Sequence, residues 1–324
     1  MTKTTRREFL KQAAIGGTVI AGLPGLVEAA ETTPKASAKT RIVIARNASM
    51  LKGDEVDQKV IEQMLGRAMM RLTSKSTSAG SWKSLFKPDD VVGIKINGLF
   101  GPTVSTRPEF VNAVIAGLKS AGVKPENIIV WDRAAKDLEK CGFTPNKTGP
   151  GVIYYSDDGD WGKEVRLGSF NGKVSKVFDR ITALINMPIV KHHGGAGISC
   201  CLKNHYGSIN NAGAHHGNDC HPYLADLNAI PQIKDKTRLI VADVLKPQAD
   251  DGPRRNPSAQ WEYHSLMVGT DPVAIDLQAY RIIEERRKEV GISSVAHKVE
   301  KTLASAAERG AGTNDPSKIE VIRI

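Results

Sequence analysis

The feature that most constrains the fold is the alternation, beyond residue 40, of short β-branched runs with helical patterns. Arg41–Arg46 (RIVIAR), Val91–Ile96 (VVGIKI) and Asn127–Trp131 (NIIVW) have strand length and strand composition. Val56–Leu72 and Pro108–Ala121 lie between them with amphipathic helical spacing, the second with Pro at an early position. Ala183–Val190, Arg238–Asp243 and Ile319–Ile324 are further strand-like runs. Asp271-Pro272 opens a helix reaching about Glu289, with Asp as the cap and Pro in the first turn. Such alternation predicts an α/β fold whose mostly parallel sheet is flanked by helices. Residues 192–221 break the rhythm. Rich in Gly, Asn and His and without periodicity, they read as a long functional loop or loop–helix segment.

Composition matters here mainly through position. The chain of 324 residues is 40% hydrophobic and 25% charged, which excludes a disordered or collagen-like protein. Four cysteines in this length do not make a disulfide scaffold. Yet three of them, Cys200, Cys201 and Cys220, and six of the eight histidines, His192, His193, His205, His215, His216 and His221, fall within residues 192–221. Imidazole and thiolate hold zinc, copper, iron or iron–sulfur centres, and glycines let a backbone bend several ligands toward one point. These nine residues are therefore the candidate metal ligands. Their spacing matches no ferredoxin, Cys-x-x-Cys or His-Glu-x-x-His pattern. In an extended chain, Cys200 and Cys201 would point to opposite faces, which argues against both binding one ion. Packed imidazoles, a buried small Cys, a disulfide through Cys220 and metal-free polar catalysis stay open as alternatives.

The N-terminus reads as an address. Thr5-Arg6-Arg7-Glu8-Phe9-Leu10-Lys11 precedes a modestly apolar run from Ala13 to Val27, the pattern of a twin-arginine export signal over residues 1–29. That run is too short for a comfortable membrane span. Residues 30–40 read as a linker, leaving 41–324 as one α/β domain. The full chain carries 45 Lys+Arg against 35 Asp+Glu; without residues 1–29 the balance is 41 to 33, or +8. A periplasmic location follows as the expectation, with nucleic acid an implausible partner and no stable membrane span after cleavage.

A cationic constellation sits on the strand ends. Lys95 and Asn97 end the Val91–Ile96 run, Thr106 and Arg107 open the following helix, Lys191 ends the Ala183–Val190 run, and Lys203-Asn204 follow. Ligands of α/β sheets gather at the carboxyl ends of strands, and a helix N-terminus favours an anion. Lys95, Lys191 and Lys203 are the candidate catalytic residues, with Asn97, Thr106, Arg107 and Asn204 holding an anionic substrate. Asp132 and Asp243 also follow strands and are candidate bases or metal ligands, while Asp271 reads as a cap.

Taken together, VVGIKIN (91–97), STRPEFVNAVIAGLKSAG (105–122), LINMPIVKHH (184–193), CLKNHYG (201–207) and VGTDPVAIDLQAY (268–280) resemble domain-of-unknown-function family 362 of bacteria and archaea. The resemblance covers most of residues 40–324. It implies that Lys95, Asn97, Lys191, His193, Lys203, Asn204, Asp271 and Asp276 match family positions. Some relatives carry an added ferredoxin-like domain and an iron–sulfur label; this sequence has no such cysteine motif. The expectation is an exported metal-binding protein, holding a transition metal or iron–sulfur cluster, with redox chemistry on a small anion or with a redox partner. The alternative is a non-catalytic metal- or anion-binding protein.

Overall fold

The computed structural model describes residues 39–324. The segments read from sequence as an export signal and a linker fall, apart from the last two linker residues, outside these residues. Ten strands form one sheet: β1 Thr40–Arg46, β2 Val92–Ile96, β3 Ile128–Asp132, β4 Ile153–Ser156, β5 Ala183–Met187, β6 Ile189–His193, β7 Gly197–Ser199, β8 Thr237–Gln248, β9 Ser265–Gly269 and β10 Ile319–Arg323. Eight run in the order β10-β1-β9-β8-β5-β2-β3-β4, while β6 pairs with β8 and β7 beside this row. Pairing is parallel except where β9 joins β1 and β8, and where β6 meets β7. The α/β reading of the sequence is thus borne out, with one antiparallel strand set into a mostly parallel sheet.

Side-chain alternation explains the layers. Val92, Ile94 and Ile96 of β2 and Ile128 and Val130 of β3 enter one hydrophobic cluster, with the helices α1 (Gln58–Thr73) and α2 (Pro108–Ser120). Ile129 and Trp131 of β3 face the other side, in a second cluster with Phe178 and Leu184. Further along that face, Ile240, Ala242 and Val244 of β8 pack against α4 (Pro272–Glu289) and α5 (Ala296–Glu308). Helix α3 is the short turn Cys201–Asn204 between β7 and these helices. Strands β2, β3, β5 and β9 are buried throughout, as expected where helices cover both faces. Each fully buried Val or Ile there contributes roughly 1.5–3 kcal/mol.

Three departures have local causes. The Ala183–Val190 run is two strands, because Pro188 has no N–H for the ladder; β6 resumes beyond it and pairs Ile189 with Asp243. The supposed linker yields to β1 at Thr40, which pairs with Ile319 of β10. Residues 192–221 are not one loop: they include the end of β6, all of β7, α3 and a series of 3-10 turns. Asp271 caps α4 as expected, accepting from Ala274 N at 2.9 Å. Among the described residues, no helix is long and apolar enough to cross a membrane.

Candidate functional site

The site begins with lysines placed by the sheet. Lys95 is the fourth residue of β2, on the face away from Val92, Ile94 and Ile96, and its Nζ lies 2.8 Å from Asp132 Oδ1 at the end of the neighbouring β3. Asp132 also accepts from Gly98 N at 2.6 Å, so the turn after β2 is fastened to the same carboxylate. A Cβ on Gly207 would lie 2.4 Å from Asp132 Oδ1 and 2.6 Å from Lys95 Nζ, so only glycine can pass over this ion pair. Lys191 is buried in β6 and donates to Val104 O at 2.5 Å and Asn97 Oδ1 at 3.3 Å. Lys203, in α3, lies with its Nζ 3.7 Å from the centre of the Tyr206 ring and 3.3 Å from His216 Nε2. These three lysines line one cavity of about 280 Å³ at the carboxyl ends of the strands.

Desolvation sets their chemistry. Burial lowers Lys191 and Lys203 to about 7, and among the described residues neither ammonium has a carboxylate partner within salt-bridge distance. His216 donates from Nδ1 to Ala212 O at 2.8 Å, which leaves Nε2 as the acceptor facing Lys203. His193 accepts at Nδ1 from Gly195 N and Ala196 N, both at 3.1 Å, so its proton sits on Nε2. The two rings stack at 5.7 Å, and burial followed by the Lys203 charge holds His193 far below the usual imidazole range. Asn204 ties the floor together, donating to Lys95 O at 3.2 Å and Asn186 Oδ1 at 2.8 Å. The result is a cavity with exchangeable protons on Lys203 and Lys191, an acceptor on His216 and a donor on His193.

The sequence profile described as Domain of unknown function (DUF362) matches residues 92–281, a stretch that contains every cavity residue named above. The chain belongs to this family. A search of curated proteins returns no match. Among solved structures, a Thermotoga maritima protein is 12% identical at a TM-score of 0.44, the alignment covering 75% of this chain and 61% of that one. The lactate racemase apoprotein of Thermoanaerobacterium thermosaccharolyticum is 14% identical at 0.36, over 75% and 57%. The chain therefore spans less than two thirds of either neighbour's length.

In this DUF362 protein the candidate residues divide into separate places. Lys95, Lys191, Lys203, Asn97 and Asn204 come together with His193 and His216 at the cavity. Thr106 and Arg107 do not line it. Thr106 Oγ1 donates to Met187 O at 2.7 Å, and Arg107 pairs with the buried Asp243, because the first turn of α2 faces β5 and β8. The nine proposed metal ligands do not converge. His192 accepts from Gly252 N at 3.0 Å; His205 is buried between Asn186 and Ser208; His215 packs between Phe170 and Tyr223; His221 bonds Ser305 Oγ at 2.8 Å. Cys220 is a free thiol in the cluster beneath Trp131, which removes the disulfide alternative for it.

One grouping does form. Cys200 Sγ and Cys201 Sγ are 3.8 Å apart, and with Asp276 of α4 they could hold a metal ion. The expectation that adjacent cysteines point apart fails because β7 ends at Ser199. Cys200 then turns with φ −155° and ψ −133°, and Cys201 already begins α3. The donor set suits a single soft ion. It does not supply the four thiolates of a common iron–sulfur cluster, since Cys141 and Cys220 lie in two other hydrophobic clusters. Asp276 has structural work as well: its oxygens accept from Cys201 N at 2.6 Å and Leu202 N at 3.1 Å. Burial raises Cys200 to about 11 and Asp276 to about 6.

Arg133, Tyr206, Leu99, Phe100 and Pro253 also line the cavity and were not legible as site residues. Arg133 directly follows Asp132, and Tyr206 lies inside CLKNHYG, so proximity to a family motif was the available signal for those two.

Proposed function

We propose that this protein binds a small molecule bearing a carboxylate or phosphate in the Lys95–Lys191–Lys203 cavity and acts on it by acid–base chemistry. The observation that carries the reading is the convergence of three lysines from β2, β6 and α3 on one cavity, two of them without a carboxylate partner among the described residues. An anion entering there supplies the missing counter-charge to Lys191 and Lys203. Its binding stabilises both ammonium forms, and His216 Nε2 lies within hydrogen-bond reach of Lys203 to exchange a proton with it. With the signal reading of residues 1–29, the proposed setting is the periplasm. Calorimetric titration with inorganic phosphate and acetate tests the binding claim; heats of dilution alone for both, at millimolar concentrations, overturn it.

A second reading places a soft metal ion on Cys200, Cys201 and Asp276. Its support is the 3.8 Å separation of the two sulfurs beside a carboxylate. Both thiols would ionise on binding, so uptake would release protons and weaken as pH falls. Elemental analysis of protein isolated through its export route, followed by zinc titration of the metal-free chain, decides between this reading and a purely structural knot.

A further inference from the structure

Four large apolar side chains stand more than a third exposed among the described residues, and two of them, Leu99 at 37% and Phe100 at 38%, are neighbours on the rim of the lysine cavity. Phe100 has φ +82°, a conformation that bulky L-residues avoid and that persists only when surroundings enforce it. Ser105 Oγ donates to Leu99 O at 3.1 Å, and Gln260 Nε2 donates to Thr103 O at 3.1 Å. The Phe100 ring in turn lies 5.9 Å from Lys191 Nζ and 6.0 Å from the Arg254 guanidinium. A strained turn that exposes two adjacent apolar side chains over a cationic floor is unfavourable in water unless something covers them.

We infer that the ligand of this cavity is a two-ended acid: an anionic group seated on the lysines, and an apolar, arene-sized group covered by Leu99 and Phe100. The inference rests on the anion-binding reading above and narrows its substrate class from small anions in general to aryl- or branched alkyl-carboxylates. A bare phosphate or acetate satisfies the lysines and leaves the rim wet. A ligand with an apolar end removes the faces of Leu99 and Phe100 from water and gains by the area it covers.

Three probes titrated against the full chain test this: 3-phenylpropionate, acetate and inorganic phosphate. The expected result is 3-phenylpropionate binding at least about tenfold more tightly than acetate, the gain of covering a modest apolar area. Leu99→Ala and Phe100→Ala should each lower that ratio by about threefold or more, and Phe100→Leu should restore most of it. Both side chains are exposed, and circular dichroism confirms that the variants are folded. Acetate binding as tightly as 3-phenylpropionate overturns the inference and leaves the anion reading standing. A tenfold preference that survives both alanine substitutions also overturns it. Failure of both acetate and phosphate to bind overturns the anion reading, and this inference with it.

Discussion

The lysine cavity and the Cys200–Cys201–Asp276 knot lie side by side in sequence and are opposites in physics. Both are dense in reactive side chains, and α3 carries a member of each, Cys201 and Lys203. The cavity has room for a ligand, and Lys191, Lys203, His193 and His216 are among the residues that line it. In the knot the void that borders Asp276 is about 10 Å³, room for one water at most, and both carboxylate oxygens already cap α3. Burial moves the groups in each toward neutrality, but with different consequences. In the cavity it gives two amines near 7 that a substrate can recharge. In the knot it holds the two thiols protonated and lifts the Asp276 carboxyl only to about 6, where nothing but an ion small enough to sit among them could recharge the thiols. Clustering of His and Cys in sequence thus marks where chemistry is dense, and the presence of space beside it separates a site from a scaffold.

The largest test breaks the cavity's one fixed charge pair. Lys95→Met leaves the Asp132 carboxylate buried without its cation and should cost about 3–5 kcal/mol in urea unfolding. The double variant with Asp132→Asn should recover much of that loss, whereas a surface ion pair would show neither effect. Next comes the knot. Asp276→Ala strands two buried N–H groups and should cost about 2–3 kcal/mol, with Asp276→Asn milder because one amide oxygen still accepts. If the knot also binds metal, zinc raises the melting temperature of the parent chain and not that of the Cys200→Ser, Cys201→Ser double variant. No rise in the parent leaves the knot structural.

The sequence showed the floor of the cavity and not its rim. VVGIKI carries its one lysine near its end and LINMPIV is followed directly by another, and strand geometry delivers Lys95 and Lys191 to one edge of the sheet. Thr106 and Arg107 were misread because the helix start that looked free is turned toward Met187 O and Asp243. The scatter of the histidines was beyond reach for a different reason. Asn218, Asp219 and Cys220 take φ of 49°, 57° and 62° in succession, and no propensity rule assigns three non-glycine residues to the left-handed region. Cys220, at the end of that turn, lies beside Tyr206 and Lys203, in a different cluster from Cys200 and Cys201. The rim, built by Phe100 and Pro253 from loops far apart in sequence, depends on tertiary packing alone.

A smaller effect follows the amines through pH. Lys191 and Lys203 are protonated below about 7, so phosphate or carboxylate binding should be strongest there and weaken as pH rises toward 9. At pH 7–8 binding should take up protons, seen as a buffer-dependent heat in calorimetry. Lys203→Met should weaken binding about tenfold, equivalent to about 1.4 kcal/mol, and remove its share of that proton uptake. Binding that is independent of pH across this window would assign the anion to another part of the protein.

The smallest effect sharpens the contrast, because a buried imidazole behind the cavity, outside its lining, and the carboxyl of the knot respond to acid with opposite signs. His205 is held at about 3, first by burial and then by the Lys95 charge. Between pH 6.5 and about 3 the unfolded chain takes up a proton there that the folded chain refuses, so stability is lost as pH falls. Asp276, raised to about 6, behaves in reverse: from pH 6 down to about 4 the folded chain holds a proton that the unfolded chain releases, so acid favours the fold. Replacing each group removes its own share of the slope of unfolding free energy against pH. His205→Gln should make the loss of stability on acidification shallower by up to about one proton, and Asp276→Asn should make it steeper by a similar amount. Urea titrations at pH 6.5, 5.5 and 4.5 measure both slopes. If the two substitutions move the slope in the same direction, the imidazole and the carboxyl do not sit in the contrasting environments found behind this cavity and in the knot beside it.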